Sequence, residues 1–160
     1  MNQNQIDELK RLAEQKAKAT KNSKIESEEL IAKMQADEKT FKSNFLGLQN
    51  TVFIPSFKEG EKALKSVGKL EYNSNQTTKE FKEQIKHFVK ISYLQKGMNN
   101  KSLEKYIYFE GLPSNSIVKV TERLKTGNSA TNDDIGEFNL TELDKSKIEE
   151  LIFAFIKKVM

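Results

Sequence analysis

The apolar periodicity of this chain changes near residue 88, and that change restricts the fold more than any other feature. Before it, large and small apolar residues recur with a helical period: Ile6, Leu9, Leu12, Ala13 and Ala17 in one stretch, and Ile31, Met34, Phe41 and Phe45 at offsets of three, seven and four in the next. After it, Val89, Ile91 and Tyr93 alternate with polar neighbours, and Tyr106 and Tyr108 alternate with Ile107 and Phe109. The first pattern matches the turn of an α-helix and the second the two-sided pleat of a strand. The expected class is therefore α+β: an N-terminal helical arm over residues 1–46, then an α+β domain over residues 47–160. That domain is read as an antiparallel β-meander of three to five strands packed by a C-terminal helix.

Within the arm, "KNSK" at 21–24 reads as a break, with Ser23 capping a second helix over 24–46 that Gly47 ends. Ile31, Met34, Phe41 and Phe45, with Glu38 among them, form a seam with three- and four-residue offsets. A lone amphipathic helix of that length is marginal in water. Two heptads are short for a coiled coil, so a helical hairpin or a helix packed on the body of the domain stands beside pairing with a second chain. These four residues are assigned to self-association, with a homodimer through the N-terminal helices as the expected assembly.

In the body, "TVFIPSF" reads as a strand that Pro55 confines to an edge, and "EGEKALKSVG" as one or two helical turns closed by Gly68. "KLEY" extends, "NSNQTT" is loop, and Thr78 caps a helix through "KEFKEQIKHF" with Phe81, Ile85 and Phe88 on one stripe. "GLPSNS" and "TGNSATND" turn the chain between later strands. The last helix starts at a Thr141 cap and presents Ile148, Leu151, Ile152, Phe155 and Val159 to the sheet, with Asp144 near its positive end and Lys157 and Lys158 at its negative end.

Catalytic chemistry finds little to stand on. The absence of cysteine removes disulfides, thiolate nucleophiles and cysteine-ligated zinc, and one histidine, His87, cannot build a multi-histidine metal site. "KTGNSAT" lacks the second glycine and the lysine–serine end of a phosphate loop, and no Gly-x-Ser-x-Gly elbow occurs. Asp133, Asp134 and Glu137 form an acidic cluster that reads as a solvated loop tip. The expectation is a protein that is not an enzyme, with no cofactor and no metal. "MNQNQIDELKRLAEQ" has no apolar signal core, and the longest apolar run, "LIFAFI", is far below the roughly 20 residues of a membrane span. A soluble, cytoplasmic protein follows as the expectation.

What remains is binding. Residues 77–106 hold seven lysines against three glutamates, and residues 133–160 hold seven acids against four lysines. The basic stretch overlaps the hairpin "VKISYLQKGMNNKSLEKYIYFEG", which points to a nucleic-acid surface. Lys90, Lys96, Lys101 and Lys105 are assigned to phosphates, and Tyr93, Tyr106 and Tyr108 to base stacking. Since 25 of the 27 basic residues are lysine, bidentate reading of guanine is disfavoured. The nucleic acid expected is thus non-specific and single-strand-preferring. Strand packing alone also selects tyrosine and phenylalanine, so one set of rings belongs to a core. The alternative function is a protein–protein interaction module (adaptor, inhibitor or structural subunit) that associates through the N-terminal helices.

Overall fold

A computed structural model describes residues 2–75, 87–127 and 130–160, apart from the side chain of Lys101. The chain divides into two compact units, Met1–Asp37 and Glu38–Met160. The boundary falls at residue 37, earlier than 46, because Phe41 and Phe45 belong to the core of the second unit.

The first unit is helical from Gln3 onward, within the long helix α1, Gln3–Leu48. Asn2 opens it: Asn2 Oδ1 accepts from the Gln5 backbone N–H at 3.0 Å, and Gln5 Oε1 accepts from that of Asn2 at 3.0 Å. This reciprocal pair satisfies two amides that the first turn would otherwise leave free. The break expected at 21–24 does not occur. Thr20 Oγ1 donates to the Lys16 carbonyl and Ser27 Oγ to that of Ser23, each at 2.9 Å. Hydroxyls that favour turns elsewhere are here satisfied by the helix itself.

The second unit begins with the last turns of α1, passes through a π-helical turn, Gln49–Phe53, and continues as helix α2, Ile54–Leu64. The strand expected at 51–57 is therefore corrected to helix. Phe41, Phe45, Gln49, Val52, Phe53 and Ser56 are all buried, and these offsets repeat with a helical period. Burial on one side outweighs the β-branched bias of the segment. Pro55 sits in the first turn of α2, directly after the π-helical turn, where the Ile54 N–H still bonds to the Gln49 carbonyl. Phe41 stacks on Phe45, whose ring meets Phe53 edge-on, and Phe53 in turn stands 4.8 Å from Phe109. Gly47 lies inside α1 and does not end it.

Five strands follow: β1 (Gly68–Ser74), β2 (His87–Gln95), β3 (Lys105–Leu112), β4 (Ile117–Arg123) and β5 (Asp133–Asn139). They form one antiparallel sheet in sequence order, so the expected α+β meander with a C-terminal helix is the observed fold. The expected helix through 79–88 lies outside the described residues, except that His87 and Phe88 begin β2. Gly68 opens β1 instead of closing a helix. A Cβ there would lie 2.4 Å from the Tyr93 ring and 2.8 Å from the Leu94 carbonyl oxygen, and this close approach is what requires glycine.

One face of the sheet carries Leu70, Val89, Ile91, Tyr93, Ile107, Phe109, Val118 and Val120, all buried in a single cluster with the helices. Helix α3, Lys145–Val159, contributes Ile148, Ile152, Phe155 and Val159 to that cluster, with Leu151 half-buried beside them. Its cap is Asp144, whose carboxylate accepts from the Lys147 N–H at 2.8 Å. Thr141 sits instead in a preceding 3-10 turn capped by Asn139. Asp144 wins because its carboxylate adds favourable charge at the helix N-terminus.

Candidate functional site

Alternation along β2 and β3 places Phe88, Lys90, Ser92, Tyr106, Tyr108 and Glu110 on the second face, opposite the core side chains. The register builds three rows across it. Glu71, Ser92, Tyr106 and Arg123 form one, Asn73, Lys90, Tyr108, Thr121 and Asp134 the next, and Phe88, Glu110, Lys119 and Glu137 the third.

Lys90 stands at the centre of this face. Its ammonium lies 3.3 Å from Glu104 Oε1 and 4.4 Å from the centre of the Tyr106 ring. Tyr106 Oη donates to Asn132 Oδ1 at 2.9 Å. Phe88 and Tyr108 stack with ring centres 5.6 Å apart. Burial, then the charge of Glu110 and the Tyr106 phenol, push the Tyr108 phenol up to about 12, so it is neutral at physiological pH. Ser92 is buried, and its Oγ has no hydrogen-bond partner.

Of the seven residues assigned to nucleic acid, the sheet brings together Lys90, Tyr106 and Tyr108. Tyr93 is on the opposite face, buried, with its hydroxyl 3.4 Å from the Val67 carbonyl, and cannot stack on a base. Lys105 pairs in register with Tyr93 and so lies on that same side. Lys96 is exposed beyond the end of β2, where its N–H donates to the Val67 carbonyl. Lys101 lies in the 3-10 turn Lys101–Leu103, with its side chain outside the described ones. The local excess of lysine does not become a basic face either. Among the described rows, Lys90, Lys119 and Arg123 are mixed with Glu71, Glu110, Asp134 and Glu137. Lys119 lies 3.8 Å from Asp134.

The four residues assigned to self-association also separate. Phe41 and Phe45 are core, covered by their own domain, and are withdrawn from any interface. Ile31 and Met34 belong to the first unit and are exposed. With Leu9, Leu12 and Leu30 they make five large apolar side chains left 48–59% exposed. At 3.6 residues per turn all five fall within an arc of about 100°. Ala13, Thr20, Ser23 and Ser27 fill the same arc between them, with Lys16 the one charged residue inside it. The far side carries Lys10, Arg11, Lys18 and Lys21, followed by Glu28 and Glu29. Reading a stop at 21–24 hid this stripe, since it divided one helical period into two short ones.

Among the described residues, no group of three or more acidic, histidine or cysteine side chains is placed to hold a metal ion. No described helix is long and apolar enough to cross a membrane. Comparison with protein families, with curated proteins and with solved structures returned no match.

Proposed function

We propose that the protein is a non-enzymatic protein–protein interaction module, an adaptor or structural subunit of the cytoplasm, that docks through the apolar stripe of residues 3–37. One observation carries this reading: Leu9, Leu12, Leu30, Ile31 and Met34 share one arc of a helix and are about half exposed. Covering what remains exposed of each returns about 1 kcal/mol, so the five together outweigh the ordering of a few side chains. Without a partner a helix of this composition is marginal, whereas docking supplies the missing packing. Amide hydrogen exchange over residues 10–34 tests it. A docked arm exchanges slowly in the full chain or on addition of cell extract, and Leu30→Ser with Met34→Ser abolishes the protection. Exchange at the rate of an unstructured chain under every condition overturns the reading.

Nucleic-acid binding is the second reading, favoured by the Tyr106 and Tyr108 rings, which lie half-buried beside Lys90 on one face. It ranks second because acidic side chains are interspersed on that face and Glu104 already occupies the Lys90 ammonium. Labelled single-stranded and duplex oligonucleotides at two salt concentrations decide it. Each lysine that neutralises a phosphate contributes about one to the salt slope.

A further inference from the structure

The cations of the arm define a second surface, on a face of α1 turned about 90° from the middle of the apolar stripe. We infer that residues 10–24 bind duplex nucleic acid through its phosphates, without reading sequence. This stretch holds Lys10, Arg11, Lys16, Lys18, Lys21 and Lys24 against Glu14 alone, a net charge of +5 on about 21 Å of helix. All six cations are exposed. Among the described residues none of them takes part in an ion pair. Lys90 on the hairpin differs, since Glu104 already holds its ammonium. The large residues of the stripe lie at 9, 12 and 30–34, so this surface does not depend on what the stripe docks against.

The placement of the charges around the helix points to the partner. Ala13, Ala17 and Thr20 are small, and with Lys16, Lys21 and Lys24 they line a shallow hollow on the helix surface. At about 100° per residue, with Ala17 as the midline, Lys10, Lys21 and Lys24 fall within about 40° of it. Lys16 and Lys18 stand about 100° away on opposite sides. Cations along a midline and on both flanks fit a groove with phosphates on each rim. The major groove of a duplex is about 12 Å wide, close to the diameter of a helix, and has one strand on each side. The small floor lets the backbone of α1 approach, and the flanking lysines then reach opposite strands. Base reading is not built in, because alanine and threonine offer only methyl and hydroxyl contacts, and Arg11 lies about 120° from the midline. A single strand has one phosphate row and leaves one flank unused. An anionic bilayer needs large apolar side chains to bury among the cations. Between residues 10 and 24 none lies within about 60° of Ala17. Glu14 does lie within that arc, and it opposes binding.

The full-length protein is titrated against a labelled mixed-sequence duplex, its single strand, and vesicles of phosphatidylserine in phosphatidylcholine. The expected result is tightest binding to the duplex. Raising salt from about 50 to about 200 mM weakens it about 500-fold, the loss for five neutralised phosphates. Lys16→Gln with Lys18→Gln and Lys21→Gln lowers the salt slope by about three, whereas Glu14→Gln strengthens binding. All four positions are exposed and glutamine is a good helix former, so neither variant disturbs the core. Equal affinity for duplex and single strand overturns the two-rimmed groove as the partner. Retention by the vesicles and not by the duplex overturns the nucleic-acid assignment. Loss of duplex binding on Lys90→Gln, with the arm variants unaffected, overturns the arm as the site and returns it to the hairpin. Absence of salt-dependent binding to the duplex overturns the inference outright.

Discussion

Lys158 donates to Glu122 Oε1 across 2.6 Å, joining the last turn of α3 to the end of β4. Glu122 is almost fully buried on the helix-covered face, in register with Ile107 and Asp133, whereas Lys158 is partly exposed. A carboxylate in that position needs a counter-charge, and removing its partner strands it. Since Lys158 is solvent-accessible, water screens part of the loss. Lys158→Met is expected to cost about 2 kcal/mol in urea denaturation. Glu122→Gln should cost less, and the double variant should be close to additive only if the pair is energetically uncoupled.

The two faces of the hairpin predict unequal losses from two tyrosines. Tyr93→Ala removes a core ring and is expected to cost about 3–5 kcal/mol of stability. Tyr106→Ala loses one hydrogen bond to Asn132 and a contact with Lys90, worth about 1 kcal/mol in total. Thermal melts of the two variants side by side check the assignment of faces. Equal losses would mean that the second face is covered as tightly as the first.

Ser92→Ala is expected to stabilise the protein. Its hydroxyl is buried with no partner, and removing such a group recovers a desolvation cost of about 1 kcal/mol. A shift of the denaturation midpoint to higher urea at unchanged slope is the predicted signature.

Stability should also depend on His87. Burial, reinforced by the positive charge of Lys42, holds its imidazole below the ordinary 6.5 in the folded chain. Above that value neither state binds the proton. On acidification the unfolded chain protonates first, so stability falls from the unfolded pKa down to the folded one and levels off below it. Denaturation of the wild type and of His87→Gln at neutral pH and at about pH 5 tests the sign, since the variant should lose less on acidification.

Local pattern alone determined the class of this protein. Alternation at Val89–Tyr93 and Tyr106–Phe109 needs only adjacent residues to specify a two-faced strand, and the stripe Ile148–Val159 needs only one helical turn. Tertiary structure decided everything that depends on a distant neighbour. "TVFIPSF" has strand-forming residues, yet Val52 and Phe53 become helical because Phe45, Gln49 and Phe109 supply a buried side for them. Which tyrosines are core follows from the side of the sheet the helices cover, and Lys90 lost its free charge because the hairpin carries Glu104 back to it. Glu122 met Lys158 across 36 residues in the same way. Periodicity encodes which side chains share a face, whereas register and packing choose which face is covered and which charges meet there.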